Sequence, residues 1–184
     1  KDYMTENDVV GREMFKWCLF LKDIKLPNTI TAIGDNAFFE SERISALEIP
    51  ASVKTIGYAS FYGCVGLESF MVAEGNTAFK ALDGVLYNYA GTELVAYPSA
   101  MASNVYVAIE TLNRVHPYAF SEARFLTEFS GSLRLSNIGY GAFYNAQNLE
   151  KVNLSNRLNF VGEYAFAGCS ALKTATILTT ESPY

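Results

Sequence analysis

The apolar positions of this chain recur in two linked patterns. Aliphatic residues spaced as L-x-x-L-x-L stand at Leu21-Ile24-Leu26, Ile44-Leu47-Ile49, Leu67-Phe70-Val72, Leu149-Val152-Leu154 and Leu172-Ala175-Ile177, with a weaker copy at Leu126-Phe129-Gly131. The last part of each alternates with period two, as a strand with one buried face does. The second pattern is a turn-like hexapeptide, "IGDNAF" at Ile33, "IGYASF" at Ile56, "IGYGAF" at Ile138 and "VGEYAF" at Val161. Its β-branched residue (Val10, Ile33, Ile56, Val115, Ile138, Val161) precedes Gly11, Gly34, Gly57, His116, Gly139 and Gly162. Five positions after it comes Phe15, Phe38, Phe61, Phe120, Phe143 or Phe166. Within each group of three, these phenylalanines are 23 residues apart. A unit this short cannot bury its apolar stripe alone, so neighbouring copies must stack.

The stretches "IKLPNTITAIGDNAFFESERI" and "LEIPASVKTIGYASFYGCVGL" carry both patterns in sequence. On them, and over most of residues 1–184, the chain resembles the BspA-like class of leucine-rich repeats. The His116 and Gly131 slots and the third repeat depart from that class. The resemblance implies one domain over residues 1–184, of about seven repeats. It would be a right-handed superhelical solenoid, mostly β with short turns or helical segments, and a parallel sheet on one face. It also implies an extracellular or cell-surface location and a non-catalytic, protein-binding role such as that of an adhesin. The partner would be a host extracellular protein or another copy of the chain. A structural spacer in a larger surface protein and an accessory domain of an enzyme are the competing readings.

The glycines of the hexapeptide invite comparison with a phosphate-cradling loop. Their recurrence in nearly every repeat, without a following G-K-[ST] or G-x-x-G, makes them structural. They are expected to permit a backbone turn disfavoured for other residues. The six phenylalanines are expected to be buried, roughly in line, as the solenoid core.

The third repeat is longer. Strand onsets fall at Leu67 and then Ser103, 36 residues on instead of 23, and the hexapeptide is lost. In its place Asp83-Gly84, between "FKAL" and "VLY", signals a type I′ turn, and Ala90-Gly91-Thr92 a second one before "ELVAY". Two linked antiparallel hairpins over about 67–102 are expected, padding one flank of the solenoid. They also offer a platform carrying Tyr87, Tyr89 and Tyr97.

Composition narrows the chemistry. The chain has 184 residues, half of them hydrophobic, enough for one real core, and its net charge is −5 with no basic stripe. A nucleic-acid backbone reader or an anionic-membrane binder would need clustered Lys and Arg. No apolar run approaches the roughly 20 residues that span a bilayer. The start "KDYMTEND" is too polar for a leader, but leader removal would leave such a start, so it assigns no compartment. Cys18, Cys64 and Cys169 share one slot, three after the repeat Phe, and stacking would hold cysteines two coils apart roughly 10 Å from each other. Free core thiols are expected, not a disulfide or a metal site. His116 is the lone histidine, and no H-E-x-x-H, G-x-S-x-G, C-x-x-C or Walker motif is present. No cofactor, metal or catalytic residue is assigned, and the acids read as solvated surface groups.

Two surfaces remain as binding candidates. Residues alternating with the buried strand positions line the sheet face: Asp23, Lys25, Glu48, Met71, Glu128, Ser130, Lys151, Asn153 and Thr176, with Ala46, Ser69 and Thr174 between them. The second is a tyrosine-rich turn region of Tyr58, Tyr62, Tyr118, Tyr140, Tyr144 and Tyr164, suited to protein or sugar binding or simply to covering core groups. The amino end enters mid-repeat and the carboxyl end follows a strand. The chain is therefore expected to belong to a longer architecture, or to have its ends covered by another copy.

Overall fold

A computed structural model describes residues 8–178. The chain coils into a β-solenoid of about seven turns, with no helix among the described residues, so strands and turns alone build each coil. Each hexapeptide opens on a two-residue strand: β1 (Val9–Val10), β2 (Ala32–Ile33), β4 (Thr55–Ile56), β10 (Arg114–Val115), β12 (Asn137–Ile138) and β14 (Phe160–Val161). The L-x-L segments form β3 (Ala46–Ile49), β5 (Ser69–Val72), β11 (Glu128–Ser130), β13 (Lys151–Ser155) and β15 (Thr174–Leu178), joined by β9 (Val105–Val107). Neighbouring copies pair in parallel at the repeat interval, as in Glu128↔Lys151 and Ala46↔Ser69. The first segment, Leu21 to Leu26, forms no strand; Leu26 is buried but the stretch makes no ladder with β3.

The insert supplies β6 (Phe79–Leu82), β7 (Val85–Asn88) and β8 (Glu93–Ala96), paired antiparallel as two linked hairpins. Asp83 and Gly84 both have positive φ (49° and 79°), as a type I′ turn requires. The insert does not pad a flank, however. It is a wall between two cores. Leu86 and Phe79 pack with the amino-terminal cluster, while Val85 and Tyr87 pack with the carboxy-terminal one. Strand alternation makes this possible, because consecutive side chains of β7 point to opposite faces. The tip of the first hairpin docks on β5 through Phe70 N–H to the Gly84 carbonyl, 2.8 Å. The long-strand face is accordingly split, with β3 and β5 on one side and β9, β11, β13 and β15 on the other.

Nor is the hexapeptide half truly lost from this repeat. β8 pairs in parallel with β10, and Tyr97 enters the phenylalanine column. The column runs Phe15–Phe38–Phe61 with centroids 5.3 and 5.9 Å apart. It resumes as Tyr97–Phe120–Phe143–Phe166 at 4.8, 4.8 and 5.0 Å. Phe38, Phe120 and Phe143 are fully buried, whereas Phe15, Phe61 and Phe166 are only partly so. Those three lack a full ring on one side: Phe15 and Phe166 stand in the first and last coils, and Phe61 abuts the insert.

The conserved spacing of the hexapeptide glycines has a different cause from the one expected. Their φ is not positive. A Cβ at Gly34, Gly57, Gly139 or Gly162 would instead come within 2.5–2.7 Å of backbone nitrogen in the preceding coil. Gly11, with no described coil before it, would meet nothing within 4 Å. His116 occupies this slot where its side chain lines a cleft beside Val95 and Ala96. The left-handed positions lie two residues later, at Glu13, Asn36, Ala59, Tyr118, Gly141 and Tyr164.

The three thiols are free. Their slot is more than a small one. Cys64 and Cys169 donate S–H to the carbonyls of Phe38 and Phe143 in the preceding coil, both at 3.1 Å, and Ser41 does the same with its hydroxyl to Phe15 at 2.5 Å. Burial pushes the Cys64 thiol up to about 12 and the Cys169 thiol to about 11, which suppresses the reactive thiolate.

Candidate functional site

On the sheet face, Asp23, Lys25, Glu48 and Met71 are exposed and line one groove of about 730 Å³. Beyond the hairpin tip the same row behaves differently. Glu128 and Ser130 are half-buried, Lys151 and Thr176 exposed, and Asn153 buried. Glu128 accepts both the Lys151 ammonium and the Asn153 amide at 3.0 Å, so these three groups largely satisfy one another. Sequence reading passed over Val105 and Val107, which continue the row in the fourth coil and are 42% and 70% exposed. Their alternation around buried Tyr106 was the available signal, masked because that coil begins on Ser103 instead of an aliphatic residue.

The expected tyrosine platform on the insert does not form. Tyr87 and Tyr97 are core residues at 3% and 5% exposure, and only Tyr89 is exposed. Tyr87 was drawn inward by the two-sided burial of β7, and Tyr97 by the phenylalanine column. Their hydroxyls are satisfied inside. Tyr87 and Tyr106 share a hydrogen bond of 2.9 Å, and Tyr97 donates to the Ser103 carbonyl at 3.4 Å.

The turn region is where aromatic rings gather at the surface. In each regular coil, three alternating N–H groups donate to carbonyls of the next: those of Asn36, Phe38 and Glu40 to Tyr58, Ser60 and Tyr62, for example. The equivalent N–H groups of the third coil, on Ala59, Phe61 and Gly63, find no carbonyl acceptor among the described residues, because the fourth coil has no such turn. The gap is a cleft of about 210 Å³, floored by Val95 and Ala96 and walled by Tyr58, Tyr62, His116, Pro117 and Tyr118. His116 is held there by Glu93, Nε2 to Oε2 2.7 Å, while Ser60, which lines the same cleft, turns its hydroxyl to the Gly34 and Gly57 carbonyls.

Across this gap the rings of coils three and five meet directly. Tyr118 lies edge-on to Tyr62 at 4.9 Å and to Tyr58 at 5.6 Å. The contacts continue from Tyr118 to Tyr140 at 5.6 Å and from Tyr140 to Tyr164 at 5.5 Å. In the other direction Tyr62 packs on Phe39 at 4.9 Å. Gly141 makes room for this: a Cβ there would stand 2.7 Å from the Tyr118 ring. Phe39, Tyr62, Tyr118, Tyr140, Tyr144 and Tyr164 thus line a continuous groove of about 310 Å³. All six tyrosines named from the sequence are brought together by these contacts.

The groove is electrically neutral in its rings and negative at its margin. Burial, with Glu122 next in effect, pushes the Tyr62 hydroxyl up to about 12, and burial does the same to Tyr118. Glu122 is raised as well, by burial first and then by the charges of Glu40 and Glu42. Glu40 lies against Gly63, where a Cβ would meet the Glu40 Cγ at 2.6 Å. Among the described residues there is no cluster of His, Cys, Asp or Glu able to hold a metal ion, and no helix long and apolar enough to cross a membrane.

The profile of the BspA type Leucine rich repeat region matches six copies in this chain, over residues 8–83 and 97–182. The chain belongs to the BspA-type leucine-rich repeat family. The interruption in the match coincides with the second hairpin of the insert. A search of curated proteins returned no match. Among solved structures, the chain is similar to a leucine-rich repeat protein from Eubacterium ventriosum, with a TM-score of 0.84 and 28% identity over 92% of this chain and 45% of that one. Pneumococcal vaccine antigen PcpA superposes with a TM-score of 0.70 at 24% identity, over 85% of this chain and 51% of that one. A leucine rich cell surface protein from Faecalibacterium prausnitzii gives 0.69 at 21% identity, over 94% and 57%. The latter two share the fold. The chain spans about half the length of these structures.

Proposed function

We propose that this chain is a non-catalytic protein-binding module of a bacterial cell-surface or secreted protein, of the kind an adhesin displays. The observation that carries the reading is the aromatic groove along the turn edge. Tyrosine is favoured at recognition surfaces because a rigid amphipathic ring gives large contact area for little conformational entropy. Here Tyr58 and Tyr164 remain 46% and 58% exposed although each also packs against a neighbouring ring. Family membership and the cell-surface relative support the location. The sheet face is the second surface, its exposed Met71, Val105 and Val107 offering apolar contact to a protein.

Binding of the purified chain to a panel of extracellular-matrix and bacterial surface proteins tests the reading. Specific, saturable binding that weakens on Tyr58→Ser or Tyr164→Ser is expected. Failure to bind any member, at concentrations up to about 100 μM, would leave the structural-spacer reading in its place.

A further inference from the structure

The tyrosine groove has a chemistry that names its partner more closely, an inference that rests on the protein-binding reading above. Glu40 and Glu122 flank it, their backbone N–H groups donating to the Tyr62 and Tyr144 carbonyls at 2.8 and 2.9 Å, and among the described residues neither enters an ion pair. Among the described residues the Glu40 carboxylate accepts only the Trp17 indole N–H, at 2.8 Å. The nearby cations are committed elsewhere or turned away. Lys16 pairs with Glu13 at 3.3 Å, Arg43 stands over Phe20 at 5.0 Å, and Arg124 lines the next hollow beside Glu122 without closing to ion-pair distance.

The chain already uses the complementary arrangement once within itself. At the amino-terminal end of the same aromatic row, the Lys16 ammonium sits over the Trp17 ring at 4.5 Å and the Phe39 ring at 5.3 Å, with the Glu13 carboxylate as its counter-charge. Cation, ring and carboxylate are all supplied there. Further along the row, Tyr62, Tyr118 and Tyr144 supply the rings and Glu40 and Glu122 the carboxylates, but among the described residues no cation fills the place. A desolvated cation over an aromatic face is attracted by the ring quadrupole, and an adjoining carboxylate adds Coulomb attraction.

We propose that the groove formed by Tyr62, Tyr118 and Tyr144, with Glu40 and Glu122 at its margin, docks Lys or Arg side chains of a polypeptide partner. The partner is basic where it meets this edge, which matches the net charge of −5 on the chain. The rings select for cationic side chains with an extended aliphatic stem, because the stem packs on the tyrosines while the head reaches the carboxylates.

The test titrates the full chain with three short peptides of equal length, in which Gly alternates with Lys and Arg, with Gln, or with Glu. The basic peptide is expected to bind with a dissociation constant below about 1 mM and to perturb tyrosine fluorescence. The Gln peptide should bind at least tenfold more weakly and the Glu peptide not at all. Glu40→Gln with Glu122→Gln should weaken the basic peptide at least tenfold. Glu74→Gln with Glu110→Gln, which changes net charge equally at exposed positions that do not line the groove, should weaken it less than twofold. Circular dichroism melts confirm that each double variant is folded. Equal loss in both double variants would mean that the peptide answers only to overall charge, and the proposal fails. It fails too if the Gln peptide binds as tightly, or if no peptide binds. A panel binder whose affinity ignores Glu40→Gln with Glu122→Gln would overturn this inference and leave the protein-binding reading intact.

Discussion

Tyr97 stacks on Phe120 with ring centroids 4.8 Å apart and planes 24° from parallel, taking the place of a phenylalanine that its repeat lacks. One residue thereby continues the core column through a coil that has otherwise been rebuilt. Tyr97→Phe should change stability by less than about 1 kcal/mol, since the lost hydroxyl makes only a long bond to the Ser103 carbonyl. Tyr97→Ala and Phe143→Ala should each cost about 3–5 kcal/mol, as deletion of a buried aromatic ring does. Urea denaturation of the three variants measures this, and a loss below about 1 kcal/mol for either alanine variant would show that the column does not hold the coils together.

The repeat glycines make a sharper comparison, because one slot recurs in different surroundings. At Gly139 an added Cβ would lie 2.5 Å from the Pro117 nitrogen, which is backbone and cannot swing aside. Gly139→Ala should cost about 1–3 kcal/mol through forced separation of the coils. Gly11→Ala, with open space around it, should stay within about 0.5 kcal/mol. Denaturation midpoints of the two variants decide the matter; equal losses would return the explanation to backbone conformation.

That comparison also shows how far the sequence can be read. The 23-residue interval exposes the strands, their parallel register and the phenylalanine column, since each depends on side-chain type repeated at fixed spacing. The Asp83-Gly84 and Gly91 turns were legible because turn chemistry is local. What the glycines are for was not, because their neighbour is the backbone of another coil, 23 residues away. Likewise nothing local distinguishes Tyr87 and Tyr97, which are buried, from Tyr89, which is exposed. Their fates follow from the insert lying between two cores instead of against one. The tyrosine groove was legible as a list of residues. Its continuity was not, since the Tyr62–Tyr118 contact joins coils three and five across a turn that the fourth coil lacks.

The thiols give a chemical check on the column's flank. Denatured without reductant, the protein should show all three cysteines to a thiol reagent. In the folded state at pH 8, Cys64 should react orders of magnitude more slowly than a free cysteine, because its thiol is pushed up to about 12 and its sulfur donates inward to the Phe38 carbonyl. A count of one in the denatured protein would establish a disulfide. Rapid labelling of folded Cys64 would mean that the coils separate readily at that point.

The tyrosines predict an alkaline limit to stability. Tyr62, Tyr97 and Tyr118 are pushed up to about 12 in the folded chain by burial, and Tyr87 is raised for the same reason. In the unfolded chain tyrosine ionises near pH 10. Below that pH both states hold the protons, so these groups add no pH dependence near neutrality. As pH rises through 10 the unfolded state sheds protons that the folded state keeps. The native form then binds more protons, so the free energy of unfolding falls with pH until the folded-state values near 12 are passed. Guanidinium unfolding between pH 8 and pH 12 should therefore show a plateau followed by a decline that starts close to pH 10. Tyr62→Phe combined with Tyr118→Phe removes two of the groups responsible and should make the decline shallower. A stability unchanged between pH 9 and pH 11.5 in the parent chain would mean that these hydroxyls ionise as freely in the groove as in water, and that the groove is more open to solvent than its ring contacts imply.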